Sequence, residues 1–121
     1  MIVNFIYIAT GGALGAILRF LISNNIKYNF YNIPIGTIIV NILGSFFIGL
    51  IVGYLETKQA SEIFLKYFLI IGLLGSFTTF SAFSIEVIEL FKNEKIFLSL
   101  IYIAASVFLS IMAAYFGYSL K

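Results

Sequence analysis

Several side chains that carry much of protein chemistry are missing from this chain of 121 residues. It has no Cys, His, Trp or Asp, and it has a single Pro. The missing Cys and His exclude disulfides, zinc fingers and thiol or imidazole catalysis, and the missing Asp excludes a paired-aspartate metal site. Because the sequence offers no nucleophile–base pair, an enzyme is the least expected class.

Charge is equally scarce. Charged residues make up 10% of the chain and hydrophobic residues 62%, whereas a soluble domain carries roughly a quarter charged residues. The formal net charge is +2 and there is no basic run, so no nucleic-acid-binding surface is expected. The composition predicts an integral membrane protein.

Four apolar stretches are each long enough to cross the bilayer as a helix, which takes roughly 20 residues. They lack the two-residue alternation of a barrel strand. No basic segment precedes the first stretch, which we therefore expect to be a spanning helix rather than a signal peptide. The predicted fold is an all-α integral membrane protein with a single four-helix domain over residues 1–121. The predicted helices cover residues 2–24, 33–55, 64–91 and 96–119.

Two connections carry helix-start signals. Asn32 is predicted to cap the second helix, with Pro34 in its first turn, where a missing N–H costs nothing. Asn93 is predicted to cap the fourth helix, with Glu94 beside the positive end of its dipole.

The basic residues give no usable orientation signal. The positive-inside rule needs an excess of Lys and Arg on one side, and here the two sides are nearly balanced. Two interpretations stay open: a protein oriented by its partners or the insertion machinery, or dual topology, in which copies insert both ways and pair antiparallel. The residues are Lys58, Lys66 and Lys121 on the side of the N-terminus, and Lys27, Lys92, Lys95 and Arg19 on the other.

Small residues recur at a spacing of four in the first two helices. Gly11 and Gly15 form one pair, and Ser45, Gly49 and Gly53 continue the pattern in the second helix. Such faces permit close backbone approach and commonly mark helix–helix contacts. Because four helices cannot enclose a wide pathway alone, we expect an oligomer.

Two neutral polar stripes run along the second and fourth helices. Residues spaced by four share a helix face, and polar groups are costly in lipid unless they face protein or water. They also commonly hydrogen-bond between packed helices, so packing and a permeation pathway both remain open. The stripes are Thr37, Asn41 and Ser45, and Tyr102, Ser106 and Ser110.

The segment from Gly72 to Glu86 is the densest polar feature of the chain. Its glycines and hydroxyl residues weaken a helix, which predicts a break near the middle of the third helix, around residues 75–79. A kink filled by neighbouring side chains is the alternative. Broken helices are tolerated at that depth only when buried or lining a watery cavity, where free carbonyls commonly coordinate a cation. Phenylalanines recur there at every third residue, as Phe77, Phe80 and Phe83.

The polar groups of these stripes and of this segment carry no full charge. Asn, Ser, Thr and Tyr donate hydrogen bonds, and an aromatic ring has a positive edge. A permeating ion needs ligands good enough to let it enter and weak enough to let it leave. This chemistry suits a small, strongly hydrated anion, although it does not identify the ion.

Two charged residues lie within the spans. Arg19 and Glu86 both fall about five residues inside the same membrane face. We expect them to lie near one another or to share a polar vestibule. The alternative is that Arg19 extends independently to the headgroups.

Three segments resemble the CrcB/Fluc family of fluoride channels, in the family's order. GGALGAILRF at residues 11–20 is similar to its opening motif, and GTIIVNILGSF at residues 36–46 is similar to the second. GLLGSFTTFSAFSIE at residues 72–86 matches the more specific third motif, GxxGxxTTFSxFSxE. The chain length and the four spans agree with the same family.

The resemblance implies a dual-topology antiparallel homodimer in the bacterial plasma membrane. Through two pores it would passively export fluoride from the cytoplasm and so lower the intracellular concentration. The implied partners are fluoride, sodium, membrane lipid and a second copy of the chain. The resemblance makes dual topology and the helix break the favoured interpretations.

The resemblance also implies roles for individual residues. The ring edges of Phe80 and Phe83 and the amide of Asn41 would line each pore. A structural sodium ion at the dimer centre would be held by the backbone carbonyls of Gly75 and Thr78. Arg19 matches a basic residue near the pore entrance, and Glu86 ends the third motif at the polar end of its helix. Further pathway or vestibule groups would be Thr37, Ser81, Tyr102, Ser106 and Ser110.

Two other functions compete with the channel. A proton-coupled drug exporter needs an acidic group deep in the membrane, whereas Glu86 and Glu89 lie toward the end of the third helix. A non-transporting accessory subunit needs no continuous pathway, so it predicts that Thr37, Asn41 and Ser45 face lipid.

Overall fold

The computed structural model describes residues 1–26, 29–30, 33–58 and 62–121. Four helical segments in this part of the chain are long and apolar enough to cross a membrane, as predicted. The third of them is divided into α3 and α4. The elements are α1 (Ile2–Asn25), β1 (Asn29–Phe30), β2 (Ile33–Pro34), α2 (Ile35–Lys58), α3 (a π-helix, Phe64–Leu74, continued by one α turn, Gly75–Phe77), α4 (Ser81–Lys92) and α5 (Ile96–Ser119).

Helices α1 and α3 pack side by side and run in the same direction. The contacts advance together along both helices, and the closest approach is made by glycine. A Cβ on Gly15 would lie 2.1 Å from the carbonyl oxygen of Leu73, so only a residue without a side chain fits there. The paired residues, in order, are Tyr7 with Phe64, Gly11 with Phe68, Gly15 with Leu73 and Arg19 with Ser76.

Helices α2 and α5 form a second parallel pair. Gly49 lies against Ala114, and one turn further Gly53 lies against Tyr118. Because both helices advance by four residues between these contacts, the same register extends back toward their first turns. It places the two polar stripes beside each other, with Thr37 level with Tyr102, Asn41 with Ser106 and Ser45 with Ser110.

The predicted small-residue contacts are made within one chain. Gly11 and Gly15 pack on α3, and Gly49 and Gly53 pack on α5. A Cβ on Gly49 would lie 2.0 Å from the carbonyl oxygen of Ala114. Because these faces are occupied inside the chain, they provide no support for the expected oligomer, which needs other surfaces.

The start of α2 differs from the prediction. Pro34 does not lie in the first helical turn, because Ile33 and Pro34 form β2, which pairs antiparallel with β1 and sets Pro34 opposite Asn29. The helix begins only at Ile35. Asn32, the predicted cap, and Lys27, one of the counted basic residues, lie outside the described residues.

The prediction that Asn93 caps the last helix is wrong. Asn93 closes the end of α4, and Glu94 follows with a left-handed φ of 59°. The N–H of Glu94 bonds to the carbonyl of Phe91 at 3.1 Å, and that of Lys95 bonds to the carbonyl of Leu90 at 2.9 Å. This pair of bonds is the Schellman ending of a helix. It uses Asn93 and Glu94 to terminate α4, which leaves Lys95 before the first turn of α5.

Candidate functional site

Residues 78–80 interrupt the third span between α3 and α4. Helix α3 ends at Phe77, Thr78 has extended backbone angles (φ −78°, ψ 154°), and α4 begins at Ser81. A helix end leaves N–H and C=O groups without intrahelical partners. Within a membrane those groups need partners from the protein or from a watery cavity.

The Asn41 side chain supplies partners for both backbone groups of Thr79. Its Oδ1 accepts from the Thr79 N–H at 2.8 Å, and its Nδ2 donates to the Thr79 carbonyl at 3.0 Å. The Thr79 hydroxyl in turn accepts from the Ala82 N–H at 3.1 Å, which caps the first turn of α4. Asn41 therefore fixes α2 to the interruption through two hydrogen bonds.

Arg19 stabilises the other side of the interruption. Its Nε donates to the carbonyl of Ser76 at 3.0 Å, at the C-terminal and therefore negative end of α3. Glu86 has different partners, and the ion pair found in the described part of the chain joins Lys121 to Glu56 at 3.9 Å. The structure thus gives no direct contact between Arg19 and Glu86.

Glu86 instead binds the two polar stripes to each other. Its Oε1 accepts from the Thr37 hydroxyl at 2.6 Å, and its Oε2 accepts from the Tyr102 hydroxyl. Thr37 is 4% exposed and Tyr102 1% exposed. We call these three residues the Glu86 cluster. The cluster was not predicted from the sequence; the available signal was the position of Glu86 itself, an acidic side chain within a span that needs polar partners.

A groove of about 250 Å³ begins one helical turn from the Glu86 cluster. It is bounded by α2, the interruption, α4 and α5, and it contains most of the predicted pathway residues. Its lining residues are Asn41, Ser45, Thr78, Thr79, Phe80, Phe83, Ser106, Val107, Ser110 and Ile111.

Three aromatic rings lead from the open side of the groove to the Glu86 cluster. Phe80 is 75% exposed and Phe83 is buried. The ring centroids of Phe80 and Phe83 are 5.3 Å apart, and those of Phe83 and Tyr102 are 5.2 Å apart. The predicted aromatic and hydroxyl groups therefore meet in one place.

The other predicted residues lie around this groove. Thr37 and Tyr102 are in the Glu86 cluster, and Arg19 is at the end of α3. Ser81 is exposed and does not line the groove; its hydroxyl lies 3.2 Å from that of Thr79. Thr79 was not among the predicted site residues, although its place in the third motif was the available signal.

Two buried hydroxyls on α5 have no hydrogen-bond partner among the residues that the structure describes. They belong to Ser99 and Ser106. Ser106 lines the groove, whereas Ser99 was not singled out from the sequence. Because Ser99 precedes Ser106 by two helical turns, helix periodicity was the signal that placed both on one face.

The carbonyl oxygens of Gly75 and Thr78 lie at the interruption. Within the described ranges, neither accepts a hydrogen bond from a side chain or from the backbone outside regular helix. Neutral carbonyl oxygens are suitable ligands for a hard cation.

The family model for CrcB-like protein, Camphor Resistance (CrcB), matches residues 6–118. The chain belongs to this family. It is 48% identical to the fluoride-specific ion channel FluC of Flavobacterium psychrophilum, over 92% of this chain and 90% of the relative. It is 41% identical to FluC of Agrobacterium fabrum, over 98% and 95% of the two chains. It is also 41% identical to FluC 1 of Methanosarcina acetivorans, over 94% and 87%.

Membership of the CrcB-like family agrees with the expected class and location. The named relatives are ion channels rather than enzymes. The four apolar helices and these relatives together support a multi-pass protein of the bacterial cell membrane.

Proposed function

We propose that this CrcB-like protein is a fluoride-selective passive channel that exports fluoride from the cytoplasm. The observation that supports this most strongly is the groove, which combines an amide, several hydroxyls and two phenylalanine rings without a charged lining residue. The names of the relatives supply the identity of the ion. A neutral donor set can replace the water of a small anion without trapping it.

Asn41 can serve the interruption and the ion together. A side-chain amide has two N–H donors, and the Thr79 carbonyl takes one of them. The second is available to fluoride in the groove. The unpartnered hydroxyl of Ser106 and the ring edges of Phe80 and Phe83 complete the proposed ligand set.

The Glu86 cluster lies one helical turn beyond the groove, next to Phe83. Its carboxylate occupies the hydroxyl donors of Thr37 and Tyr102. An ion that passes this point must take at least one of these donors from the carboxylate. In the proposed mechanism Glu86 therefore competes with fluoride for the same hydrogen bonds and keeps the hydroxyls oriented between passages.

The accessory-subunit alternative fits the geometry poorly. It predicts that Thr37, Asn41 and Ser45 face lipid. Thr37 is instead buried against Glu86. Asn41 and Ser45 line a groove between helices, and we propose below that a second copy covers its open side.

The rings of the groove test the proposed pathway. We expect Phe80→Ile and Phe83→Ile each to reduce fluoride efflux from proteoliposomes by about tenfold or more, because a lost donor interaction of about 1.4 kcal/mol changes a rate tenfold. The control is Phe97→Ile, since Phe97 is also 75% exposed but does not line the groove. Normal efflux in both groove variants would assign these rings to packing.

We further propose that two copies pair antiparallel in a dual-topology dimer. The support is the open side of the groove, where Phe80 is largely exposed beside Asn41 and Thr79. These polar groups would otherwise be open to lipid, which is unfavourable. A second copy would cover them and give two pathways in each dimer.

Topology can be measured cleanly because the chain has no native Cys. We expect a single Cys at Lys95, in the turn before α5, to react with a membrane-impermeant maleimide to about half from each side. Complete labelling from one side alone would exclude dual topology. Cys substituted at Lys121 is the matched probe at the opposite membrane face.

In the proposed dimer, a sodium ion is held by the Gly75 and Thr78 carbonyls of both copies. The ion would supply positive charge to the negative helix ends at the interruption. The test is replacement of sodium by N-methylglucamine throughout purification and assay. We expect the dimer to dissociate or lose thermal stability, and unchanged assembly and efflux would contradict a structural ion.

A further inference from the structure

We propose that the Ser99 hydroxyl is a further fluoride-binding donor, placed beyond the Glu86 cluster on the side away from the groove. This inference rests on the proposed function. It extends the pathway past the residues that line the groove and assigns a role to a side chain that the rest of the site leaves unexplained.

Ser99 is fully buried, and its hydroxyl has no hydrogen-bond partner among the described residues. Its exposed fraction is 0%, and within the described chain only Ser106 shares this combination of burial and missing hydrogen bond. Burying a hydroxyl without a partner is unfavourable. Such a group in a native structure therefore needs an explanation, and a passing ligand is one.

Several helical hydroxyls elsewhere in the molecule donate to a backbone carbonyl of their own helix. Thr10, Thr57 and Ser84 each donate to the carbonyl four residues earlier, at 2.7 Å, 3.2 Å and 2.8 Å. Ser99 makes no such bond, although its N–H donates normally to the Lys95 carbonyl at 2.9 Å. Its hydroxyl is thus free to donate to something else.

The position of Ser99 continues the line of donors on α5. It lies about one turn before Tyr102 and two turns before Ser106, on the same helix face. Ser106 lines the groove and Tyr102 belongs to the Glu86 cluster. In the proposed pathway an ion that leaves the groove along α5 meets Tyr102 and then Ser99.

The burial at this level favours a weak donor. Phe83, Leu90 and Tyr102 form a buried hydrophobic cluster, and Ser99, one turn before Tyr102 on α5, is itself fully buried. In the proposed pathway a fluoride ion that has passed Tyr102 needs a donor in place of water, and a neutral hydroxyl can bind it weakly enough for release. The first charged group beyond it on the chain is Lys95, directly before α5.

The test compares Ser99→Ala with the wild-type protein in fluoride efflux and in thermal unfolding. We expect efflux to fall by about tenfold or more, because a hydrogen bond to an ion is lost. We expect the melting temperature to stay equal or rise, because an unpaired buried hydroxyl has been removed. A structural role for Ser99 predicts the opposite shift in stability. Ser119→Ala, on the exposed last turn of α5, is the control and should leave efflux unchanged.

The other outcomes separate the inference from the function on which it rests. Normal efflux in Ser99→Ala would overturn the inference and leave the proposed channel function unaffected. Reduced efflux together with a lower melting temperature would also overturn the inference, because it indicates a structural role for Ser99. Absence of fluoride efflux in the wild-type protein would overturn the proposed function itself. If Ser99→Ala does not assemble, Ser99→Cys keeps the shape of the side chain and replaces the hydroxyl by a much weaker donor, and the same criteria apply to it.

Discussion

At the residue scale, the Asn41 amide holds the interrupted helix together. One side chain pairs with both the N–H and the carbonyl of Thr79. In water such groups would find other partners, but in a bilayer they have none. The residue proposed to bind the ion is therefore also the residue that maintains the shape of its site.

Replacing this amide should affect stability and conduction together. We expect Asn41→Ala to leave two backbone groups unpaired and to lower the free energy of unfolding by about 2–5 kcal/mol. Thermal unfolding in detergent measures this change. Ser45→Ala is the matched control, since Ser45 lies one turn further along the same groove and makes no side-chain hydrogen bond among the described residues. Equal stability of the two variants would contradict the role assigned to Asn41.

The partners of Arg19 and Glu86 predict which residues are energetically coupled. Arg19 binds the Ser76 carbonyl, whereas Glu86 binds Thr37. In double-mutant cycles on stability we expect Arg19→Ala and Glu86→Leu to be additive within about 0.5 kcal/mol. Thr37→Val and Glu86→Leu should show a coupling of about 0.5–3 kcal/mol, since they share one hydrogen bond. The reverse result would show that Arg19 and Glu86 are coupled although they make no direct contact.

The sequence was informative about which residues are polar but less so about their partners. Helical spacing alone placed Asn41 beside Ser45, and Ser106 beside Ser110. It did not indicate that Glu86 would accept hydrogen bonds from Thr37 and Tyr102, because that contact depends on how three helices are aligned. The pairing of Arg19 with a backbone carbonyl was also hidden, since backbone acceptors have no sequence signature.

At the scale of elements, two parallel helix pairs position the site. The α1–α3 pair brings Arg19 to the end of α3, and the α2–α5 pair aligns the two polar stripes. Glycines permit both approaches. Sequence spacing identified the small residues, yet it could not tell contacts within a chain from contacts between chains, because the packing chemistry is the same.

A methyl group at the α2–α5 contact should separate these helices. We expect Gly49→Ala to reduce stability by about 1–3 kcal/mol or more, because its Cβ would meet the Ala114 carbonyl oxygen. Gly12→Ala is the matched control for stability, since its Cβ would lie 3.3 Å from the Ser76 hydroxyl oxygen, which is the end of a side chain that can rotate away. Thermal unfolding of both variants measures the difference. A Gly49→Ala protein as stable as Gly12→Ala would show that the helices are not in close contact there.

Helix ends were harder to infer than helix interiors. Asn93 and Glu94 have the side chains of a helix start, but their backbone terminates α4. Pro34 is compatible with a first helical turn, but here it pairs with β1. In both connections the backbone hydrogen bonds decide whether a residue starts a helix, ends a helix or pairs with a strand. The same side chains are compatible with more than one of these arrangements.

At the scale of the whole molecule, scarcity of charge is part of the proposed mechanism. The groove is lined by an amide, hydroxyls and rings. Arg19 and Glu86, two charged residues within the spans, bind protein groups beside it. An anion can thus exchange water for protein ligands without meeting a full positive charge that would hold it. Four apolar spans were readily predicted from hydropathy, whereas the arrangement of two copies depends on surfaces that composition does not describe.

The central claim is that this chain alone passes fluoride and rejects chloride. The most direct measurement is anion efflux from liposomes that contain only the purified protein, recorded with fluoride and chloride electrodes after the membrane potential is released by an ionophore. We expect rapid fluoride release with negligible chloride release, and no release from protein-free liposomes. Equal release of the two ions, or retention of fluoride, would contradict the claim.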